Sequence, residues 1–476
     1  MEDIGIVKLR EKLLKKEISV EEITKYYLNK IEEKKKLNIY LTINDRCLEQ
    51  AKKLDNDYER IKRKKLGGIP LGIKDVFSTK DIRTTCASNI LKNYIPKFES
   101  TATRKVFEEG AINIGKTNLD QFCHGSSTIT SVFGPTRNPW DVSKLPGGSS
   151  GGSAAAVIAD TCAGSLGTET AGSLRQPASW CGVVGMKPTY GRVSRFGVLA
   201  MGSSLDCPGI LTKNVEDSAY LLPIIEGYDK NDFTSSKKSV PNYFENLESK
   251  NIKGLKIGVP KEYLEIELEE GVRKNFENSV KILKKLGAKI VNVDLLSPKY
   301  AIAVYTIACR SEVSSNLSRY DGIRYCTPVE EQNDFSEYIE NVRGQGFGQE
   351  AKRRIMTGTF SLSAGYADKY YRNAEKIRQI LKEDVLNVLK NVDLIISPSS
   401  PTTALGDEQA DNPIFGELAD VLVETSSLAG LPGISVPNGL SENLPTGLQI
   451  FTRHFGEQSV FDVAKAFEDE YGILKI

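Results

Sequence analysis

The stretch Pro146-Gly-Gly-Ser-Ser-Gly-Gly-Ser153 runs without a break into Ala154-Ala-Ala-Val-Ile-Ala159. A glycine–serine tract standing alone is a flexible linker. One that abuts strong helix formers reads instead as a turn delivering the backbone to a helix start, where free N–H groups face whatever lies there. A phosphate loop would need Gly-Lys-Ser/Thr at this point, and none follows. A nucleophile elbow, G-x-S-x-G, is matched by Gly147-Gly148-Ser149-Ser150-Gly151. It requires a strand directly before it, where the chain has Pro139 and Pro146, and a later histidine, for which only His454 is available. That reading stays open, with the missing strand against it.

Downstream, Gly167-Thr-Glu-Thr-Ala-Gly-Ser173 is a second small-residue turn leading into Leu174-Arg175-Gln176-Pro177, and upstream Leu71-Gly-Ile-Lys74-Asp75 sets a lysine at the end of an apolar strand. Ser149 and Ser173 could face one another if the helix and strand between them fold back. A lysine with an apolar approach and two serine-bearing turns is a candidate base for a Ser–Lys mechanism, because a hydroxyl both donates and accepts and can relay a proton.

Around this centre, short apolar strands at about 69–73, 111–115, 289–295 and 392–397 alternate with helical stretches. Val272, Phe276, Val280 and Leu283 recur at helical spacing until Gly287. The alternation predicts an α/β fold, a central sheet covered by helices. Near the start, Ser19-Val-Glu-Glu22 reads as a capping box ahead of Ile23, Tyr27 and Ile31. The lysine runs 34–36 and 62–65 read as solvated faces, a docking edge for RNA or a partner being the other reading. Residues 228–253 are polar and aperiodic, which predicts a loop. The expected organisation is one domain over 1–476: a helical segment to about 65, a core over about 66–227, the loop, and a part from 254 returning to the same sheet.

The 63 Lys and Arg balance 62 Asp and Glu, so nucleic acid is not bound by overall charge. With two histidines, His124 and His454, no histidine-rich metal site can form. Eight cysteines without a C-x-x-C pair read as buried small hydrophobes in a reducing compartment. The first residues lack the apolar core of a secretory leader, and no run of about 18 apolar residues occurs. A cytoplasmic protein without a membrane contact is expected.

Taken together, Gly72-Ile-Lys-Asp75, the tract 146–153, the turn 167–173 and Cys181-Gly-Val-Val-Gly-Met-Lys-Pro-Thr189 resemble the amidase signature family. The resemblance implies a large mixed sheet with helices on both faces and a Ser–Ser–Lys triad that uses no metal or organic cofactor. Carried over, Ser173 is the nucleophile, Ser149 the bridging serine and Lys74 the base, with Asp75 in a supporting role. The backbone N–H groups of Thr170, Ala171, Gly172 and Ser173 form the oxyanion hole. Two departures concern this turn, which in the family commonly reads Asp-Thr-Gly-Gly-Ser. Here Glu169 lengthens the acid and Ala171 adds a Cβ.

Further stretches are similar to one branch of the family, the glutaminase subunits of tRNA-dependent amidotransferases. They are Arg83–Ser88, Phe133–Trp140, Gly191–Gly197, Ser315–Tyr325, Lys352–Met356 and Leu428–Pro437. This implies glutamine as substrate, a heterotrimer with the amidotransferase subunits B and C, and ATP and magnesium at the partner. The partner would also hold most of the misacylated tRNA, Glu-tRNA(Gln) or Asp-tRNA(Asn). By resemblance Arg354, from the pair Arg353-Arg354, binds the glutamine carboxylate, Asp420 the ammonium, and Tyr305 lines the pocket. His124 stands where the branch usually has methionine and is expected to be packed. The alternatives are a free-standing amidase and an inactive assembly subunit.

Overall fold

The apolar run ending in Lys74 lies well inside one continuous sheet. The structure, a computed structural model, describes residues 4–247, 252–325, 334–410 and 415–476. Its eleven strands are β1 (Tyr40–Ile43), β2 (Pro70–Lys74), β3 (Ile112–Thr117), β4 (Gly164–Glu169), β5 (Val184–Lys187), β6 (Cys207–Thr212), β7 (Lys256–Pro260), β8 (Lys289–Val293), β9 (Leu394–Pro398), β10 (Gly433–Ser441) and β11 (Leu444–Phe451). The sheet order is β1-β3-β2-β4-β6-β5-β10-β11-β9-β7-β8. Parallel pairs β3/β2/β4 and β9/β7/β8 flank an antiparallel centre, so the sheet is mixed. The strands from 256 onward join the same sheet as those of the first half.

Strand β2 is buried at every position, which suits a central parallel strand covered on both faces. Helices fall into two layers. One contains Ile6–Leu14, Thr101–Glu108, Val215–Ile225, Glu270–Lys285 and Glu457–Tyr471; the other contains Gly151–Ile158, Arg175–Cys181, Lys299–Leu317, Gln349–Leu362 and Tyr371–Val388. The capping box forms as read: the Ser19 side chain accepts from Glu22 N, and the Glu22 carboxylate accepts from Ser19 N. Val272, Phe276 and Leu283 are buried on the inner face of their helix. Seven cysteines are buried and free, and Cys326 lies outside the described residues.

The polar segment after residue 227 carries no helix or strand among its described residues, yet it is not a free linker. Asp229 accepts from Thr101 Oγ1 at 2.5 Å and from Ser194 Oγ at 2.6 Å, and Tyr243 is buried against Phe461. No helix of the described residues is long and apolar enough to cross a membrane.

Two buried acids tie helices of the first layer to one another. Asp217 Oδ1 accepts from Val7 N at 2.9 Å, and Glu468 Oε1 accepts from Val215 N at 2.8 Å. Burial pushes Asp217 up to about 6 and Glu468 up to about 7, against the pull of those N–H groups. Both raised values mean that the folded chain holds protons the unfolded chain releases. Their contribution to stability is complete below about pH 4 and is lost as pH rises through about 6 to 7. The urea midpoint is therefore expected to carry a downward component over that range, and Asp217→Asn is expected to reduce it. An unchanged slope in the variant would assign the pH dependence elsewhere.

Candidate active site

Lys74 is the last residue of β2, and the parallel neighbour β4 ends beside it. The side chain is fully buried; Nζ donates to Ser149 Oγ at 2.8 Å, Ser150 Oγ at 2.9 Å and Thr168 Oγ1 at 2.9 Å, with Thr168 O at 3.3 Å. Among the described residues no carboxylate lies within ion-pair distance of this amine. The adjacent Asp75 is engaged otherwise: Oδ1 is 3.2 Å from Lys116 Nζ, and Oδ2 accepts from Thr85 N and Thr85 Oγ1. Lys74 can therefore exchange a proton with Ser149 without first breaking an ion pair.

The tract reaches Lys74 because it lacks side chains where it crosses the segment Asp120–Ser127. A Cβ on Gly148 would stand 2.2 Å from Asp120 Oδ2 and 2.4 Å from Ser127 N. No strand precedes the tract, and the helix Gly151–Ile158 begins directly after it. His454 Nε2 lies 2.9 Å from Ala429 O and meets neither serine. The elbow geometry is thus absent, and the Ser–Lys arrangement is what the tract builds.

Ser173 is joined to the same tract, its carbonyl accepting from Ser150 N at 3.2 Å. The turn carrying it is held from behind by Glu169. Glu169 Oε2 accepts from Leu174 N and Arg175 N, both at 3.1 Å, which caps the following helix, and the Arg175 guanidinium pairs with the same carboxylate. Burial opposes this charge, but Arg175, Lys187 and Ser427 outweigh it and hold the carboxyl below its ordinary range. Arg175 also donates to Val423 O at 3.0 Å, Ser427 Oγ at 2.8 Å and Ser426 Oγ at 2.7 Å. Ala171 has no left-handed backbone angle, and its carbonyl accepts from Ser427 Oγ. Both departures from the family pattern are accommodated: the longer acid spans the turn, and the added methyl meets no backbone constraint. Among the described residues, the N–H groups of Thr170 to Ser173 donate to no acceptor within the chain.

Asp420 comes directly against this turn. A Cβ on Gly172 would lie 2.2 Å from Asp420 Oδ1, and Asp420 Oδ2 accepts from Ser126 Oγ at 2.8 Å. Of the arginine pair, Arg354 is the inward one, its side chain 5% exposed against 35% for Arg353, and Glu350 bonds both. Tyr305 is buried on the facing helix with Arg354 in its electrostatic neighbourhood; burial first, and Cys309 next, push its hydroxyl well up. A Cβ on Gly202 would touch both Cys309 and Thr170, which ties the Tyr305 helix to the serine turn.

Several participants escaped the sequence reading. Ser150 and Thr168 share Lys74 with Ser149, and their adjacency to Ser149 and Glu169 was the available signal. Cys123 Sγ is 3.8 Å from Thr168 Oγ1; hydrogen bonding from Cys86 draws its thiol down against burial, aided by Lys74. Asp206 anchors the turn by accepting from Thr170 Oγ1 at 2.9 Å, and burial raises it to about 7. Among the described residues no group of three His, Cys, Asp or Glu side chains could hold a metal.

A family model described as Amidase matches residues 22–461. The A subunit of the glutamyl-tRNA(Gln) amidotransferase of Thermoanaerobacter pseudethanolicus is 49% identical over 468 residues, covering 98% of this chain and 96% of that one. Its namesake in Listeria monocytogenes serovar 1/2a is 48% identical over 470 residues, with 98% and 97% covered. Among solved structures, the A subunit of the glutamyl-tRNA(Gln) amidotransferase of Thermotoga maritima superposes with a TM-score of 0.80 at 40% identity, covering 97% of this chain and 94% of that one. The peptide amidase of Stenotrophomonas maltophilia gives 0.85 at 26% identity, with 99% and 97% covered. Matched by that model across most of its length and by these relatives across nearly all of it, the chain belongs to the amidase family.

Proposed function

We propose that this chain is the glutaminase subunit of a tRNA-dependent amidotransferase. The observation that carries the chemistry is the buried Lys74 amine 2.8 Å from Ser149 Oγ, beside the turn of Ser173. Full-length likeness to proteins named as the A subunit of glutamyl-tRNA(Gln) amidotransferase directs that chemistry to glutamine. Ser173 Oγ attacks the side-chain amide carbon while its proton passes through Ser149 to Lys74. The oxyanion is held by the N–H groups of Thr170 to Ser173. The C–N bond then breaks as the same proton returns to the leaving nitrogen. Ammonia departs, and water resolves the glutamyl ester by the reverse relay, releasing glutamate.

The substrate is a zwitterion, and the site offers both counter-charges: Arg354 for the carboxylate and Asp420 for the ammonium, with Tyr305 along the wall. Subunits B and C complete a heterotrimer. ATP and magnesium act at the partner, which activates the misacylated tRNA, Glu-tRNA(Gln) or Asp-tRNA(Asn), and receives the ammonia. A formal net charge of +1 suits a subunit that leaves most tRNA contact to its partner. The cytoplasm is the compartment where this reaction meets its tRNA.

The test is ammonia release from glutamine by the purified chain, alone and with the partner subunits, beside release from simple aliphatic and aryl amides. Glutamine turnover that rises in the assembly is the expected result. Turnover of simple amides with no response to glutamine or partners would make the chain a free-standing amidase. An assembly that forms but releases nothing would make it a structural subunit.

A further inference from the structure

His124 is fully buried, and among the described residues neither of its ring nitrogens has a hydrogen-bond partner. A buried imidazole left in this way costs free energy unless something else meets it. Three bonds from neighbouring side chains fix the turn that carries it. Gln121 Oε1 accepts from Gly348 N at 2.8 Å, at the start of the helix that carries Arg354. Cys123 Sγ meets Thr168 Oγ1, the partner of Lys74. Ser126 Oγ donates to Asp420, which rests on Gly172 beside Ser173. His124 therefore lies within a turn whose contacts reach the Arg354 helix, the lysine network and the acid at the nucleophile turn.

We infer that His124 is a substrate-binding residue: a ring N–H donates to the α-carboxylate of glutamine next to Arg354, fixing that end of the substrate while its amide faces Ser173. Burial, and then the positive charges of Arg354 and Arg310, hold the imidazole well below its ordinary range, so it stays neutral. A neutral ring suits this role. It adds a directional donor to a pocket whose charge is already supplied, and it does not repel the guanidinium beside it. The inference rests on the glutaminase reading and deepens it, since nothing in the proton relay through Lys74 and Ser149 requires a histidine.

The experiment compares wild type, His124→Leu and His124→Gln in the assembled protein, by glutamine KM and kcat and by thermal melting. His124→Leu is expected to raise KM about 10- to 100-fold, the loss of one hydrogen bond to a charged group, with kcat held. His124→Gln restores a donor and is expected to recover most of that loss. Melting of His124→Leu is expected to be no lower than wild type, because two unpaired polar atoms leave the interior. A packing role would reverse the order, with leucine harmless and glutamine disruptive. An unchanged KM in His124→Leu overturns the inference, as does a fall in kcat and melting together. Wild type that releases no ammonia from glutamine overturns the glutaminase reading itself, a result distinguishable from either.

Discussion

Ser173→Ala is expected to lower glutamine-dependent ammonia release by at least about 10⁴-fold while leaving the melting temperature and partner assembly intact. Ser173 is buried in a turn whose position depends on Glu169, Arg175 and Asp206, not on its own hydroxyl, so removing Oγ deletes the proposed nucleophile without loosening the turn. Lys74→Ala is expected to fall to a similar floor, and the double variant no further, because residues that act as one relay do not contribute additively. Lys74→Arg should not rescue, since a guanidinium stays protonated and cannot take the serine proton. Ser150 separates this account from a rival nucleophile. It bonds Lys74 at 2.9 Å just as Ser149 does, but its own proton is given to Thr168 O at 3.0 Å. Ser150→Ala is therefore expected to lose much less than Ser149→Ala. A rate in Ser173→Ala within tenfold of wild type, or a Ser150 variant worse than the Ser149 variant, would reassign the chemistry.

These residues were legible in the chain because each sits where a local signal is strong. Lys74 ends an apolar run, Ser149 lies in a glycine tract against an alanine-rich helix, and Ser173 closes a small-residue turn. Strand cores were readable for the same reason, with boundaries moved by one or two residues: 69–73 became Pro70–Lys74, and 111–115 became Ile112–Thr117. The sheet order was not readable. Strands β10 and β11 insert between β5 and β9, so the turn at 169–175 meets residues 423–427, and no local pattern reports a contact between segments so far apart. Ser126 on Asp420 is of the same kind. Asp75 was marked only by its place after the lysine; its actual role, neutralising Lys116 and bonding Thr85, depends on β3 lying beside β2. The partners of Glu169 and Ala171, the two departures from the family's turn, were not readable either, because Ser427 reaches both from far along the chain.

The second large effect is on stability. Arg175→Met is expected to cost about 3–5 kcal/mol near neutral pH, because it strands the Glu169 carboxylate, fully buried, with its strongest partner gone. The guanidinium also satisfies Val423 O, Ser426 Oγ and Ser427 Oγ, so its removal unties the serine turn from the segment that follows Asp420. Adding Glu169→Gln to Arg175→Met is expected to recover a good part of the loss, since an amide in place of the stranded carboxylate removes the buried charge. The pH dependence gives an independent check with a definite sign. In wild type the folded-state value of Glu169 lies below its ordinary range, so its contribution is present at neutral pH and is lost only as pH falls through that lowered value. In Arg175→Met the same carboxyl, now without its cation, is pushed up by burial and takes a proton on mild acidification. The gap in urea midpoint between variant and wild type is therefore expected to narrow from about pH 7.5 to about pH 5. A gap of the same size at both values, or a double variant as unstable as the sum of the singles, would mean that Arg175 acts through packing and the Val423–Ser427 bonds, with the ion pair contributing nothing.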